Sequence, residues 1–343
     1  MKKVSINDIA RKAGVSVSTV SFVMNDKAVR MRISRAVIEK VEQVAREMGY
    51  RPNQLARGLR TGRTRTIGLI VENISNPFFS VLAKTIEDEA KKYDYKVVYC
   101  STDNDDEKAR DLIFMLSQRQ VDGYIITPTP NLGEDIIRLQ AENKPVILID
   151  RYFPQYKEIP SVLVDNYSGV IHGMESLISS GHHKIALVTI QSDMAHMKDR
   201  IRAYYDALNA HQIPVNEQLL KMIPYNSDKE IALQEISDLF RRSPDQVDAV
   251  FFLTNYLGLL GMEVIKSLRI RVPDDMAVLC FDDNDVFRLY TPSISVIRQP
   301  IAEIGQKATE FLMEKLNYSK TEEHTPEYFN IQLASELVPR ESV

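Results

Sequence analysis

The sequence predicts an α/β protein in two parts: a helix-turn-helix head of three short helices, then a much larger body of parallel sheet. Three observations lead there. Residues 9–25 read as two short helices around a tight turn. From Ile67 onward, strand-like apolar runs alternate with amphipathic helical stretches. The charge is also split unevenly. Residues 1–66 hold 15 Lys and Arg against 5 Asp and Glu, a net of +10, while the rest hold 28 against 42, a net of −14. The overall balance of −4 hides both.

The head, residues 1–50, comes first. Ser5 with Asp8 has capping-box spacing, and Ile9, Ala10 and Ala13 form an apolar stripe at helical period. Gly14 ends that helix, because glycine tolerates the left-handed conformation. Ser16 caps the second helix, whose inward face is Val20, Val23 and Met24. At about 100° per residue, Phe22 points almost opposite Val20, flanked by Ser18, Ser21 and Asn25. A third helix over 34–48 closes the core with Val37, Val41, Val44 and Met48. This is the layout of a helix-turn-helix whose second helix enters a DNA major groove. The expected DNA contacts are Ser5, Ser16, Val17, Ser18, Thr19, Ser21, Phe22, Asn25 and, in the basic loop that follows, Arg32. Arg30 and Arg35 lie nearby and can neutralise phosphates. A three-helix domain that binds protein is the bland alternative, and the +10 head argues for nucleic acid instead.

Residues 51–65 form a linker. A helix over 54–60, capped by Asn53, is too short to be stable alone, and Gly58 costs it about 1 kcal/mol more. It is expected to order only on a template. In the body, residues 66–343, strand-like runs fall at 67–71, 96–101, 124–127, 145–150, 162–164, 184–190, 249–253 and 277–282. Helical stretches fall at 78–92, 105–119, 133–142, 166–180, 198–211, 228–241, 257–268 and 300–316. Strands apolar on both faces imply a parallel sheet covered by helices.

With 343 residues and 44% hydrophobic content, the chain has ample core. Met1-Lys2-Lys3 runs straight into a capped helix, so no secretory signal is expected, and no apolar run approaches the ~20 residues of a membrane span. Cys100 and Cys280 read as buried free thiols of a reducing cytoplasm. No clustered ligands suggest a metal, and no cofactor is expected. His182-His183 read as a structural turn. Neither a Walker glycine loop nor a G-x-S-x-G elbow occurs, so no enzyme is expected.

The run DIARKAGVSVSTVSFVMN, followed by GYRPNQLARGLRTGRTRTIGLI, resembles the amino-terminal signature of the LacI/GalR family of bacterial transcription regulators. SNPFF, VILIDR, CFDD and IRQP continue it in register. The resemblance implies a two-lobed, periplasmic-binding-protein-like body that binds an effector and dimerises. Its lobes are expected at about 66–163 with 293–324, and 164–292 with 325–343. It also implies that the linker folds on a palindromic operator, with Asn53 and Arg57 contacting DNA and Leu59 wedged in the minor groove. Phe22 departs from the base-reading Arg or His of many members. Phenylalanine cannot grip guanine but can pack on thymine methyls.

In open α/β sheets ligands bind beyond the carboxyl ends of strands. Those ends supply Asn73, Phe78, Phe79, Ser101, Thr127, Asp150 and Arg151; later ones supply Asn255 and Asp282. The resemblance matches Arg200, Asn255, Asp282, Asp150 and the Phe78-Phe79 pair to effector-contact positions, and Tyr225 to a stacking aromatic. Gln299, in IRQP, completes the set. Asp150–Arg151 as a structural ion pair and Phe79 as core are the competing readings. Tyr256 and Ala203 depart from the family pattern and weaken any transfer of ligand identity. The implied protein is a homodimeric repressor of carbohydrate genes switched by a sugar. A nucleobase or nucleoside corepressor is the alternative, and a tetramer stays open.

Overall fold

The computed structural model describes residues 4–25, 27–50, 62–225, 227–242, 247–317 and 330–343. Asn53, Arg57 and Leu59 lie outside the described residues. Two compact units emerge, residues 1–64 and 65–343.

In the smaller unit, α1 (Ile6–Ala13), α2 (Val17–Val23) and α3 (Arg35–Glu47) pack around Ile9, Ala13, Val20 and Val41, all fully buried. The capping box is complete: Asp8 N donates to Ser5 Oγ at 3.3 Å, and Ser5 N donates to Asp8 Oδ2 at 2.9 Å. This satisfies amides that have no partner within the helix. Gly14 then adopts φ 69°, turning the chain so that Ser16 caps α2 by accepting from Thr19 N at 3.1 Å.

The larger unit carries two six-stranded sheets. In the first lobe β1 (Thr66–Val71), α4 (Pro77–Lys92), β2 (Lys96–Ser101), α5 (Asp106–Gln118), β3 (Gly123–Ile126), α6 (Gly133–Ala141), β4 (Val146–Ile149) and β5 (Ser161–Val164) follow in order. The second lobe repeats the plan with α7 (Asn166–Ser179), β6 (Ile185–Gln191), α8 (Ala195–Ala210), β7 (Leu220–Pro224), α9 (Lys229–Arg242), β8 (Ala249–Phe252), α10 (Asn255–Leu268), β9 (Ala277–Phe281), α11 (Asp285–Leu289) and β10 (Ser295–Arg298). The chain then returns through α12 (Ile301–Asn317) to β11 (Asn330–Leu333) in the first sheet and β12 (Glu336–Val338) in the second.

The orders are β11-β5-β4-β3-β1-β2 and β12-β10-β9-β8-β6-β7, parallel throughout except for antiparallel β12. Residues alternate between faces. Ile67 and Leu69 pack under α4 and α12, while Ile70 packs under α5 with Leu116. In the second lobe Leu187 and Phe251 join the α7–α8 core, and Val188 and Phe252 the other. Strands buried on both faces are what the continuous apolar runs require. Order reverses beside β1 and beside β6, so each lobe has a switch point where loops diverge and leave a crevice.

Two lobe assignments need correction. Residues 295–298 were expected in the first lobe, but β10 pairs with β9 in the second sheet. Residues 330–333 were expected in the second, but β11 pairs with β5 in the first. The chain therefore crosses at Asp165, at 299–300 and at 334–335. Both strands have only four residues, and β11 alternates exposed with half-buried positions as an edge strand does, so neither announces itself as an apolar run.

Candidate functional site

On the head, α2 presents Ser16, Val17 and Ser18 as exposed residues, Val17 at 47%. Phe22 is half-buried, as are Thr19, Ser21 and Asn25, and Lys27 N donates to Phe22 O at 2.9 Å. Asn25 Nδ2 donates to Ser21 O at 2.6 Å. The Ser5 and Ser16 hydroxyls serve as caps and so set where the helices begin. Arg30 and Arg32 are exposed, Arg32 with φ 53°. Arg35 pairs with Glu39 at 3.1 Å.

In the body a cleft of about 510 Å³ opens between the lobes at the carboxyl ends of both sheets. Its first-lobe wall comes from the β1–α4 turn, with Asn73, Phe78 and Phe79, and from the end of β4, with Asp150 and Arg151. Its second-lobe wall carries Arg200 on α8, Tyr225 after β7, Asn255 opening α10, and Asp282 after β9. Gln299 contributes from the crossing. Ten of the twelve expected effector residues therefore share one cavity. Ser101 and Thr127 are not among its lining residues. Ser101 Oγ instead accepts from Ile74 N at 3.0 Å and props the β1–α4 turn from behind. Thr127 is 1% exposed, turned into the lobe.

Arg200 is the deepest charge in the wall, at 3% exposure. Its Nε donates to Asn166 Oδ1 at 2.8 Å, its NH1 to Leu253 O at 2.6 Å, and its guanidinium lies 3.5 Å from the centre of the Phe281 ring. Such a held fork presents its remaining donors at fixed angles. Asp150 and Asp282 end equivalent strands of the two lobes, and both take left-handed backbone, φ 65° and 74°. Burial pushes Asp150 up to about 7, with Arg200 opposing and Asp282 reinforcing. Burial also raises Asp282, against the pull of Arg200 and of Gln299, whose Nε2 donates to Asp282 Oδ1 at 2.5 Å. Arg151 pairs with Glu72, lies 3.3 Å from Asp150, and donates to Asn104 at 2.6 Å. Asp150–Arg151 is thus an ion pair and also part of the cleft.

The wall also takes Glu72, Asn76 and Asp103 from strand-end loops, where ligands are expected to gather, and His196, to which the sequence reading gave no site role. His196 falls before the expected start of its helix at 198, whereas α8 begins at Ala195. Asp283 is structural, paired with Arg298 at 2.9 Å and Arg340 at 2.8 Å. His182 and His183 form a turn whose backbone is pinned by Asp248.

A helix-turn-helix head on a two-lobed body with a polar interlobe cleft defines a DNA-binding transcriptional regulator with a ligand-binding domain. Residues 5–53 match the lacI family of bacterial regulatory proteins, and residues 174–343 match the periplasmic binding protein-like domain. The HTH-type transcriptional regulator RegA of Clostridium saccharobutylicum is 32% identical over 98% of both chains. A Lac repressor bound to ONPG in its repressed state shares the fold, with a TM-score of 0.84 at 24% identity over the whole of both chains. A CelR–cellobiose complex aligns with a TM-score of 0.71 at 25% identity, covering 99% of this chain and 100% of the other. This chain belongs to the LacI family. Among the described residues, no helix is long and apolar enough to cross a membrane.

Proposed function

We propose that this regulator is a cytoplasmic repressor of carbohydrate-utilisation genes, homodimeric on a palindromic operator and switched by a neutral sugar bound between the lobes. The carrying observation is the chemistry of the cleft. Its wall holds four carboxylates, Glu72, Asp103, Asp150 and Asp282, against the two guanidiniums of Arg151 and Arg200. Carboxylates and a fixed guanidinium take vicinal hydroxyls in paired hydrogen bonds, and the Tyr225 and Phe79 rings suit the apolar face of a sugar. A carboxylate excess disfavours a phosphate or uronate. Cellobiose, the sugar of the CelR complex, is also neutral.

One lobe arrangement lets the two linkers meet on DNA with Leu59 wedged in the minor groove and Asn53 and Arg57 on the backbone. The effector favours the other arrangement, by its difference in affinity for the two. The head's net +10 supplies the sequence-independent attraction. The binding cleft is not a catalytic centre in this reading, and no cofactor enters it.

A thermal-shift panel of neutral sugars, uronic acids, sugar phosphates and nucleobases on the full chain tests this. A ligand specific to the native state raises the midpoint in a concentration-dependent way. A neutral sugar is expected to do so. A shift with a nucleobase alone overturns the sugar in favour of the nucleobase corepressor.

A further inference from the structure

His196 stands in the first turn of α8, one helical turn before Arg200. It lines the cleft yet is only 6% exposed. Its Nδ1 has no hydrogen-bond partner among the described residues. The other deep polar side chains of the wall have protein partners: Arg200 holds Asn166 and Leu253, Asp282 takes Gln299, and Asn255 takes Asn76. A buried polar atom left without a partner is costly, and folded proteins almost always supply one.

The surroundings fix the state of the ring. Burial, then the guanidiniums of Arg151 and Arg200, holds His196 well below the usual histidine range, so it stays neutral. A neutral imidazole offers one donor nitrogen and one acceptor nitrogen. The guanidiniums around it can only donate. The ring is therefore an uncharged group, carrying one donor and one acceptor nitrogen, set among cationic donors.

We infer that His196 is a specificity-determining residue of the cleft, its unpaired ring nitrogen completed by a single hydroxyl of the bound sugar. The inference rests on the neutral-sugar reading above and adds the group that would select among sugars. A site built to hydrogen-bond a hydroxyl rejects the analogue that lacks it, because the protein atom is then left buried and unpaired.

The test is calorimetric titration of the full chain with D-ribose, D-glucose, D-galactose and cellobiose, then with each monodeoxy analogue of the sugar that binds. Wild-type protein is expected to bind one analogue roughly 10- to 100-fold more weakly than the parent through this contact. In His196→Leu that discrimination disappears: the parent sugar loses the same factor, while that analogue binds as it does to wild type. His196→Gln keeps an acceptor and retains part of the discrimination, which also serves should the leucine variant fold poorly. Unchanged parent affinity in His196→Leu, or an equal loss for every analogue, overturns the role of His196 and leaves the sugar reading standing. Failure of every sugar to bind wild-type protein overturns both.

Discussion

Asn76 and Asn255 hydrogen-bond to each other across the interlobe cleft. Asn255 Nδ2 donates to Asn76 Oδ1 at 3.0 Å, and Asn76 Nδ2 donates back to Asn255 Oδ1 at 3.4 Å. The two residues are 179 positions apart in sequence and belong to different sheets' ends. Asn76 Oδ1 also accepts from Phe78 N at 3.0 Å and caps α4, so one amide starts a helix and joins the lobes.

Cutting this link should open the body. Serine at position 76 still caps α4 but is too short to reach Asn255. The Asn76→Ser variant is expected to keep its melting midpoint within about 5 °C, since only the two hydrogen bonds of the pair are lost. Small-angle scattering of the unliganded protein should show a larger radius of gyration than wild type. An unchanged radius would mean that the pair does not hold the lobes together.

Arg200 balances two buried carboxylates, and its removal should be felt in stability as well as in binding. Arg200→Ala leaves Asp150 and Asp282 without their shared cation. A loss of roughly 3–5 kcal/mol is expected from chemical denaturation. Arg200→Lys keeps charge but loses the fork that holds Asn166 and Leu253, so it should recover only part. Full stability in the alanine variant would show that the aspartates are already neutral.

Asp150 makes stability depend on pH. Its pKa rises from 3.8 to about 7 on folding because it is buried. The folded state binds the proton more tightly, so this group leaves stability untouched below about pH 4 and erodes it progressively between about pH 4 and 7. Above that the loss is complete. Asp150→Asn should melt with wild type at pH 4 and roughly 5 °C above it at pH 8, in parallel thermal scans. Parallel curves across the range would remove Asp150 as the titrating group.

The larger features were legible in the sequence wherever one face or one strand spoke for itself. The head could be read almost residue by residue, because Ser5, Gly14 and Ser16 punctuate it and capping chemistry is local. The buried strands of both lobes were legible as apolar runs. Most of the ten cleft residues lie at or just beyond strand ends, where topology makes ligands gather, while Arg200, within α8, was matched through the family resemblance. The strands at 295–298 and 330–333 were not legible: the first lies inside its sheet but has only four residues, and the second is an edge strand without the two-sided apolar pattern. Ser101 and Thr127 also sit at strand ends but turn away from the cleft, which only the backbone can decide. Helical phase sets Phe22 opposite the buried Val20, and Phe22 is half-buried.

Operator choice should change at a single base pair when Phe22 is replaced. Phe22→Arg introduces a fork that can grip the major-groove edge of guanine. Selection from a random duplex pool is expected to move one symmetric position toward a G·C pair, worth about 1–3 kcal/mol in discrimination. An unchanged selected sequence would place Phe22 away from the bases.

The linker proposal separates DNA affinity from effector affinity. Leu59→Ala should weaken operator binding by at least tenfold while the sugar titrates as in wild type. Equal operator affinity would rule out a minor-groove wedge at that residue.

The most direct test is fluorescence anisotropy of the full chain on a palindromic duplex selected from a random pool, with and without saturating concentrations of the sugar found by thermal shift. The expected result is a DNA Kd that rises tenfold or more with sugar, with no such change in Arg200→Ala. The same Kd with and without sugar, or no preference for the selected duplex over random DNA, would contradict a sugar-switched operator-binding repressor.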